Sequence, residues 1–182
     1  MYSPGHVGIA LLCVTPLAAV LRLAGHRRAA WMSVLGFLLT ASAPDIDLYL
    51  AEIPHRGITH TLVAAGVVGL LFGVVAVLTR SPSLSTRFAD FVFGCLVGTL
   101  GISTHLLGDV VTPMGLQPFA PLVDAHYTLN LVYASDPTAN AGLFVTGLVI
   151  YGLSTEVTRV LAPPPTSADS TTPLRDVDPD LS

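Results

Sequence analysis

The sequence predicts an all-α, polytopic membrane protein of four to five transmembrane helices. Apolar residues make up 52% of the 182 positions and charged residues only 11%, whereas an ordinary soluble domain has roughly 25% charged residues. Apolar stretches of near-spanning length recur along the chain, and most polar residues lie between them. Both observations favour lipid, rather than water, as the main solvent of this chain.

A spanning helix needs about 20 mostly apolar residues. Five stretches approach that length: 7–24, 29–43, 60–79, 88–108 and 139–158. The second is short, so we expect it to tilt little or to extend into the membrane interface. The first is interpreted as a retained helix, because Arg22 follows its apolar run, whereas a signal peptide carries positive charge before it.

The composition changes abruptly soon after Arg159, and residues 162–182 read APPPTSADSTTPLRDVDPDLS. This segment has too few apolar residues to bury a core. We therefore expect two parts: an integral membrane helical domain over residues 1–161 and a disordered polar tail over residues 162–182.

The arginines predict the topology. The chain has no lysine, and if the spans alternate, one face receives seven arginines and the other only Arg56. The positive-inside rule then places the arginine-rich connectors and the C-terminal tail in the cytoplasm. The extracytoplasmic face of this multi-pass protein receives His6, Asp45, Asp47, His55, His60, His105, Asp109, Asp124 and His126.

Two function classes find no support in the composition. The chain has no basic patch dense enough to neutralise many phosphates, so no nucleic-acid partner is expected. Cys13 and Cys95 lie in separate apolar runs without CxxC spacing, which argues against a thiolate metal site or a redox motif.

The sharpest local pattern lies at the end of the fourth stretch, in Ser103-Thr104-His105-Leu106-Leu107-Gly108-Asp109. Positions four apart share a helix face, so His105 and Asp109 can point at one ion. Ionisable groups at the centre of a membrane helix cost roughly 2.5–3.5 kcal/mol each and usually have a function. The alternative is a His–Asp pair that only stabilises the helix.

A second cluster joins the loop Pro44-Asp45-Ile46-Asp47 to the run His55-Arg56-Gly57-Ile58-Thr59-His60. Its carboxylates and imidazoles are ligands that zinc or manganese accept. Alone, the PDID loop could equally be a turn with helix-capping acids. We expect Thr59 to cap the third helix, which places His60 at the membrane surface.

The remaining polar residues are assigned by their face. His6 lies on the face of the predicted site, which favours a ligand role over a solvated terminal histidine. Arg56 could bind a phosphate or carboxylate through its guanidinium fork, or form a structural salt bridge to Asp45 or Asp47. Asp124 and His126 are equally well explained as loop-surface residues. The sequence therefore predicts a metal site at one membrane face.

The motifs PGH, PDID with HRGITH, and THLLGDVVTPMGLQPFAP together resemble a family of bacterial membrane-bound metal-dependent hydrolases related to the LexA-regulated inner-membrane hydrolase. That family's pattern is a PDxD loop, an HRGxTH run and an SHxxxD helix followed by T-x-x-G and a proline. The resemblance covers roughly residues 3 to 121. It implies a membrane-bound hydrolase that depends on a divalent metal.

A more distant similarity is to the zinc-dependent phospholipase C and single-strand nuclease group. It implies that Asp45, His60, His105 and Asp109 are primary ligands, with Asp109 able to bridge two ions and His6 serving a neighbouring one. This sequence lacks the processed N-terminal tryptophan of that group, and its C-terminal half offers only Asp124 and His126. One or two ions are therefore expected, with zinc as the first choice and manganese as the alternative.

The resulting hypothesis is hydrolysis of a phosphoester or another small-molecule or lipid ester. Asp47 or His55 would be general base or ligand-orienting group, and Arg56 would stabilise charge on the substrate oxygens. One competing hypothesis is a transporter that uses the same residues as an ion or proton relay. The other is a non-catalytic protein whose helices are joined by a closed structural metal site.

Overall fold

The computed structural model describes residues 1–80 and 84–161. Its helices are α1 (Ser3–Leu23), α2 (Arg27–Thr40), α3 (Leu62–Arg80), α4 (Leu84–Val110) and α5 (Pro137–Leu161). Two 3-10 turns, Pro44–Tyr49 and Ile58–His60, lie between α2 and α3. Within these ranges no strand forms, and the only β pairing is an isolated bridge between Leu116 and Tyr127. The predicted all-α class is confirmed, whereas the predicted tail lies outside the described residues.

All five helices are long and apolar enough to cross a membrane, if the turn Pro44–Tyr49 is counted with α2. In α5 only 11% of the most apolar window is buried within the protein, and in α3 only 22%. Side chains such as Leu71 and Leu78 are 59% and 79% exposed. Such wide apolar surfaces are rare in soluble proteins and are ordinary where lipid is the solvent.

The second helix is shorter than its apolar stretch. It ends at Thr40, not at residue 43, and its 14 residues span about 21 Å at 1.5 Å per residue. The hydrocarbon core is about 30 Å thick. The 3-10 turn Pro44–Tyr49 therefore continues the segment that α2 begins.

Helices α1 and α5 run parallel and touch closely. The backbone N–H of Tyr2 donates to Asn140 Oδ1 at 3.1 Å near the start of both helices. Arg22, near the end of α1, donates to the Tyr151 hydroxyl of α5 at 2.7 Å. Between them Gly8 lies against the backbone of Leu143, with no room for a Cβ. Small residues allow this approach, as is typical of membrane helix pairs.

Helices α3 and α4 form an antiparallel pair by the same means. Gly69 of α3 lies against Thr99 of α4. One turn further along α3, Gly73 lies against Phe91, which is two turns before Thr99 in α4. A Cβ on Gly98 would come within 2.9 Å of the Gly69 Cα. The two helices therefore cross at backbone contact.

These directions bring the polar segments to one end of the bundle. The starts of α1, α3 and α5 and the ends of α2 and α4 all lie there. The connector between α4 and α5 folds back over this end, where Leu129 N–H donates to the Val110 carbonyl and the Thr128 hydroxyl to the Thr112 carbonyl, both at 2.7 Å. Below it, small and medium apolar side chains form the core: Ala10, Val14, Ala18, Ala30, Val34, Phe37, Ala41 and Val97.

Candidate metal centre

Four residues predicted as ligands converge at the polar end of the bundle. His60 Nε2 and His105 Nε2 are 3.1 Å apart. Asp45 Oδ1 lies 3.5 Å from each of these nitrogens, and Asp109 Oδ2 lies 3.3 Å from each. Both histidines are fully buried, and the Asp109 and Asp45 side chains are 1% and 17% exposed. Asp45 is thus the member of this group nearest to solvent.

The four predicted ligands reach this point from three different elements. His105 and Asp109 share one face in the last turns of α4, because they are four residues apart. Asp45 lies in the 3-10 turn that follows α2, and His60 closes the 3-10 turn that precedes α3. The site therefore depends on the arrangement of three helices, not on a local motif.

The tautomer of His105 follows from its second ring nitrogen. Nδ1 lies 2.8 Å from the Ala41 carbonyl oxygen, which can only accept a hydrogen bond. Nδ1 must therefore carry the proton. In the neutral ring Nε2 then presents a lone pair, which is the form that binds a metal ion.

His60 is oriented in the same way. Its Nδ1 lies 2.9 Å from the Thr59 hydroxyl and 3.1 Å from Asp47 Oδ2. The Thr59 hydroxyl donates its own proton to Asp47 Oδ2 at 2.7 Å, so toward His60 it can only accept. Nδ1 of His60 is therefore the donor, and Nε2 again presents a lone pair.

Two lone pairs thus face each other at 3.1 Å in a buried site. This contact is unfavourable unless a proton or a cation lies between the nitrogens. Asp109 Oδ2 is buried without a hydrogen-bond partner, although both nitrogens lie near it. These two nitrogens and one oxygen are directed at one point, and they are ligand types that a divalent cation accepts.

The distances also fit a metal ion. Zinc binds four ligands tetrahedrally at about 2.0–2.1 Å, so neighbouring ligand atoms lie about 3.3–3.4 Å apart. The triad Asp45–His60–His105 has edges of 3.1, 3.5 and 3.5 Å, and the triad His60–His105–Asp109 has edges of 3.1, 3.3 and 3.3 Å. Each triad matches one face of such a tetrahedron.

His6 extends the cluster on the α1 side. Its ring stacks on that of His105, with centroids 3.8 Å apart. Nε2 lies 3.6 Å from Asp109 Oδ1, and neither ring nitrogen has a hydrogen-bond partner within the described part of the chain. His6, His105 and Asp109 thus form a further group with ligand atoms within 4.8 Å of one another.

The two oxygens of Asp109 have different surroundings. Oδ1 accepts from the Met1 amino group at 2.8 Å and from Arg56 Nη2 at 2.9 Å. Oδ2 instead points towards His60 and His105. Hydrogen bonds to one oxygen therefore fix the direction in which the other can coordinate.

Arg56 is held firmly beside the site. Its Nη1 donates to the Gly115 carbonyl at 2.8 Å and to the Thr112 hydroxyl at 3.0 Å, and its backbone lies in the left-handed region at φ 61°. That conformation is uncommon outside glycine. The carboxylate that Arg56 pairs with is Asp109, not Asp45 or Asp47.

Asp47 and His55 form the outer part of the site. Asp47 is buried, and its Oδ1 accepts from His55 Nδ1 at 2.8 Å. Its Oδ2 accepts from the Thr59 hydroxyl and from the Arg56 backbone N–H. The His55 side chain is 34% exposed, so its Nε2 is the ring nitrogen that can reach substrate or solvent.

One partner could not be read from the motifs, because the Ala41 carbonyl that orients His105 belongs to none of them. Thr112 and Gly115, the T-x-x-G of the third motif, hold Arg56. The prediction that Thr59 caps α3 was wrong. The cap is Thr61, whose hydroxyl accepts from the Ala64 N–H at 3.1 Å, whereas the Thr59 hydroxyl donates to Asp47.

The weaker candidates lie elsewhere. Asp124 is exposed, and the exposed His126 donates to the Met114 carbonyl at 2.8 Å, so neither joins the cluster. His26 is exposed at the other end of the bundle, where α2 begins.

Comparison with known proteins adds one finding. No curated protein and no solved structure matches the chain. The family model described as YdjM inner membrane protein matches residues 1–163. Because this match covers nearly the whole chain, the protein belongs to the YdjM family of inner membrane proteins.

Proposed function

We infer that this membrane protein is a metal-dependent hydrolase whose site holds one or two divalent cations, zinc in first place and manganese in second. The observation that carries the proposal is that the Nε2 atoms of His60 and His105 lie 3.1 Å apart beside an unpartnered carboxylate oxygen, while the Nδ1 atom of each ring faces its own acceptor. Asp45, His60, His105, Asp109 and His6 would be the ligands. A bound divalent cation supplies Lewis-acid polarisation and acidifies water near neutral pH.

His55 is the best candidate for moving protons. Its Nδ1 proton is held by Asp47, which leaves Nε2 free to take a proton from water and return it to the leaving group. Asp47 would keep both His55 and His60 in the required tautomers. Arg56 would act through Asp109 as a positioning residue, because both of its terminal nitrogens already have partners.

The surroundings favour a lipid or lipid-linked phosphoester as substrate. Ile46, Leu48 and Tyr49, beside the two aspartates of the 3-10 turn, are 56%, 60% and 87% exposed. Apolar side chains on a turn at a membrane surface insert among headgroups and acyl chains. A substrate held in that layer would reach the site from the side of Asp45 and His55, its most exposed members.

The positions and exposure of the ionisable side chains favour hydrolysis over the two competing functions. A relay needs ionisable groups through the membrane depth, whereas the described cluster lies at one end of the bundle. A structural site is filled by four protein ligands, whereas a catalytic one keeps a position open for water; Asp45, at 17% exposure, leaves one side of the ligand group accessible to solvent.

The first test combines metal analysis with hydrolysis. Purified protein would be assayed for bound zinc and manganese and for turnover of a panel of phosphoesters and phospholipids. Wild type is expected to hold metal and to hydrolyse one class. His105→Ala and Asp109→Asn are expected to lose most of the metal and at least about 100-fold in activity, because each removes a ligand.

The matched control is His26→Ala, which removes an exposed histidine at the opposite end. It should keep both metal and activity. Wild-type protein without bound metal would exclude both the hydrolase and the structural-site hypotheses and would favour the relay. Metal that depends on His105, with no turnover of any substrate, would instead support the structural site.

A further inference from the structure

A second polar site lies at the end of the bundle opposite the metal centre. Arg22 follows His6 on α1 by 16 positions, which is about 24 Å along the helix axis. It is only 7% exposed, although arginine is almost never fully buried without a partner. Its burial therefore requires an explanation.

The contacts of Arg22 leave its charge uncompensated. Nη2 donates to the Tyr151 hydroxyl at 2.7 Å, and the guanidinium lies 5.1 Å from the Tyr151 ring centroid and 6.0 Å from that of Trp31. Nη1 is buried without a hydrogen-bond partner. Among residues 1–80 and 84–161, Arg22 forms no ion pair with a carboxylate. Aromatic faces and the C-terminal end of α1 offset part of this charge.

A pocket of about 220 Å³ adjoins this guanidinium. Its lining is Arg22, Arg27, Trp31, Thr155, Thr158 and Arg159. Three arginines therefore surround it, and the nearest acid in the α5 sequence, Glu156, is 69% exposed and pairs with Arg159 at 3.6 Å. Both threonine hydroxyls donate to backbone carbonyls of α5, so the arginines are the available donors. This chemistry suits a phosphate group, which guanidinium forks bind in a bidentate fashion.

Two apolar pockets lie along α2 near the basic pocket. Trp31 lines the basic pocket and also a second pocket of about 300 Å³, which Met32 and Leu35 line as well. Met32 and Leu35 then line a third, of about 250 Å³, between α2 and the α3–α4 pair. A basic pocket beside an apolar groove matches the two parts of a phospholipid, because the pocket can hold the phosphate and the groove an acyl chain.

We propose that this end of the bundle is a specific site for an anionic phospholipid, with the phosphate among Arg22, Arg27 and Arg159 and an acyl chain along α2. Basic pockets between transmembrane helices bind acidic headgroups in this way. The site is independent of the hydrolase proposal, since it lies at the other membrane face and shares none of the metal-site residues. Its occupant is a bound membrane lipid, not a substrate.

The test uses Trp31, the single tryptophan of the chain, as a native probe. Full-length protein would be placed in nanodiscs that mix phosphatidylglycerol and phosphatidylcholine, with bromine on the acyl chains of one lipid or the other. Wild-type fluorescence should be quenched preferentially by brominated phosphatidylglycerol. That preference should fall about five-fold for each arginine removed from the pocket.

Two variants are compared, so that a folding defect caused by replacing the buried arginine can be told apart from a loss of lipid binding. Arg22→Gln removes the buried charge, and the double variant Arg27→Gln with Arg159→Gln removes two exposed charges. The control, Arg87→Gln, removes an arginine of α4 outside the pocket and should keep the full preference. Equal quenching by both lipids, or an equal loss in the control, would overturn the proposal. Displacement of the lipid by millimolar inorganic phosphate would also overturn it in favour of a free-phosphate site.

Discussion

At the residue scale, the geometry of the candidate site depends on the groups that orient the predicted ligands as much as on those ligands themselves. Asp47 accepts from His55, Thr59 and the Arg56 backbone, and its Oδ2 lies 3.1 Å from His60 Nδ1. Each of these contacts fixes a proton on the partner. Asp47 therefore sets the tautomer of two histidines without itself facing the pair of Nε2 atoms.

Asp47→Asn tests this positioning role. An amide would replace one acceptor oxygen with a donor that faces existing N–H and O–H donors, so His60 should lose its fixed orientation. We expect zinc affinity to fall about 10–100-fold while the protein stays folded. The measurement is competition with a chromophoric chelator in detergent solution.

Asp124→Asn is the matched control, because Asp124 is an exposed aspartate of the connector that covers the same end of the bundle. It should bind zinc like wild type. If Asp47→Asn also bound zinc with unchanged affinity, the proposed orienting role of Asp47 would be excluded.

The sequence predicted which side chains come together at this end of the bundle, whereas it did not predict the groups that orient them; their role as ligands stays a prediction. His105 and Asp109 share a helix face by spacing alone, and the structure places their facing atoms 3.3 Å apart. The bond from His105 to the Ala41 carbonyl joins residues 64 apart in the chain. No local pattern encodes such a contact, since any residue offers a carbonyl.

At the element scale, small residues set how closely the helices approach. Gly8 of α1 touches the backbone of Leu143 in α5, and a Cβ on Gly147 would lie 2.7 Å from the Gly8 carbonyl oxygen. This contact lies less than one turn beyond His6. The position of His6 over His105 is therefore tied to the α1–α5 contact.

Gly8→Ala should separate these helices. The added methyl group would collide with backbone that cannot rotate away, which we expect to cost about 1–3 kcal/mol. Thermal unfolding in detergent would show a lower midpoint. Gly142→Ala on α5 is the control: its Cβ would meet nothing within 4 Å, and alanine favours a helix by up to about 1 kcal/mol over glycine. A Gly8→Ala protein as stable as the control would contradict the close contact.

Element boundaries were harder to predict than element number. The five apolar stretches correspond to five helices, but α2 stops at Thr40 because the chain turns into a 3-10 segment there. Likewise, both Thr59 and Thr61 are good capping residues by type. Because α3 begins at Leu62, Thr61 is the residue in the cap position, whereas the Thr59 hydroxyl donates to Asp47.

At the scale of the whole molecule, the bundle has two chemically different ends. One gathers the imidazoles and carboxylates of the candidate metal centre, and the other carries Arg22, Arg27 and Arg159 around a basic pocket. This division was predictable from the alternation of spans, because five spans bring the first and third connectors to one end. How His6, His60 and His105 then meet depends on helix packing, which the alternation does not determine.

The two ends also predict the orientation in the membrane. The positive-inside rule places the arginine end in the cytoplasm and the candidate metal centre on the extracytoplasmic face.

Single cysteines can report on which side of the membrane each end lies, after Cys13 and Cys95 are replaced by alanine. In intact spheroplasts, a membrane-impermeant maleimide should label Asp124→Cys, an exposed position beside the metal centre, and leave His26→Cys, exposed at the arginine end, unlabelled until the membrane is opened. The reverse pattern would invert the topology and place the hydrolase site in the cytoplasm. Equal labelling of both positions in intact cells would contradict a bundle with its two ends on opposite sides of the bilayer.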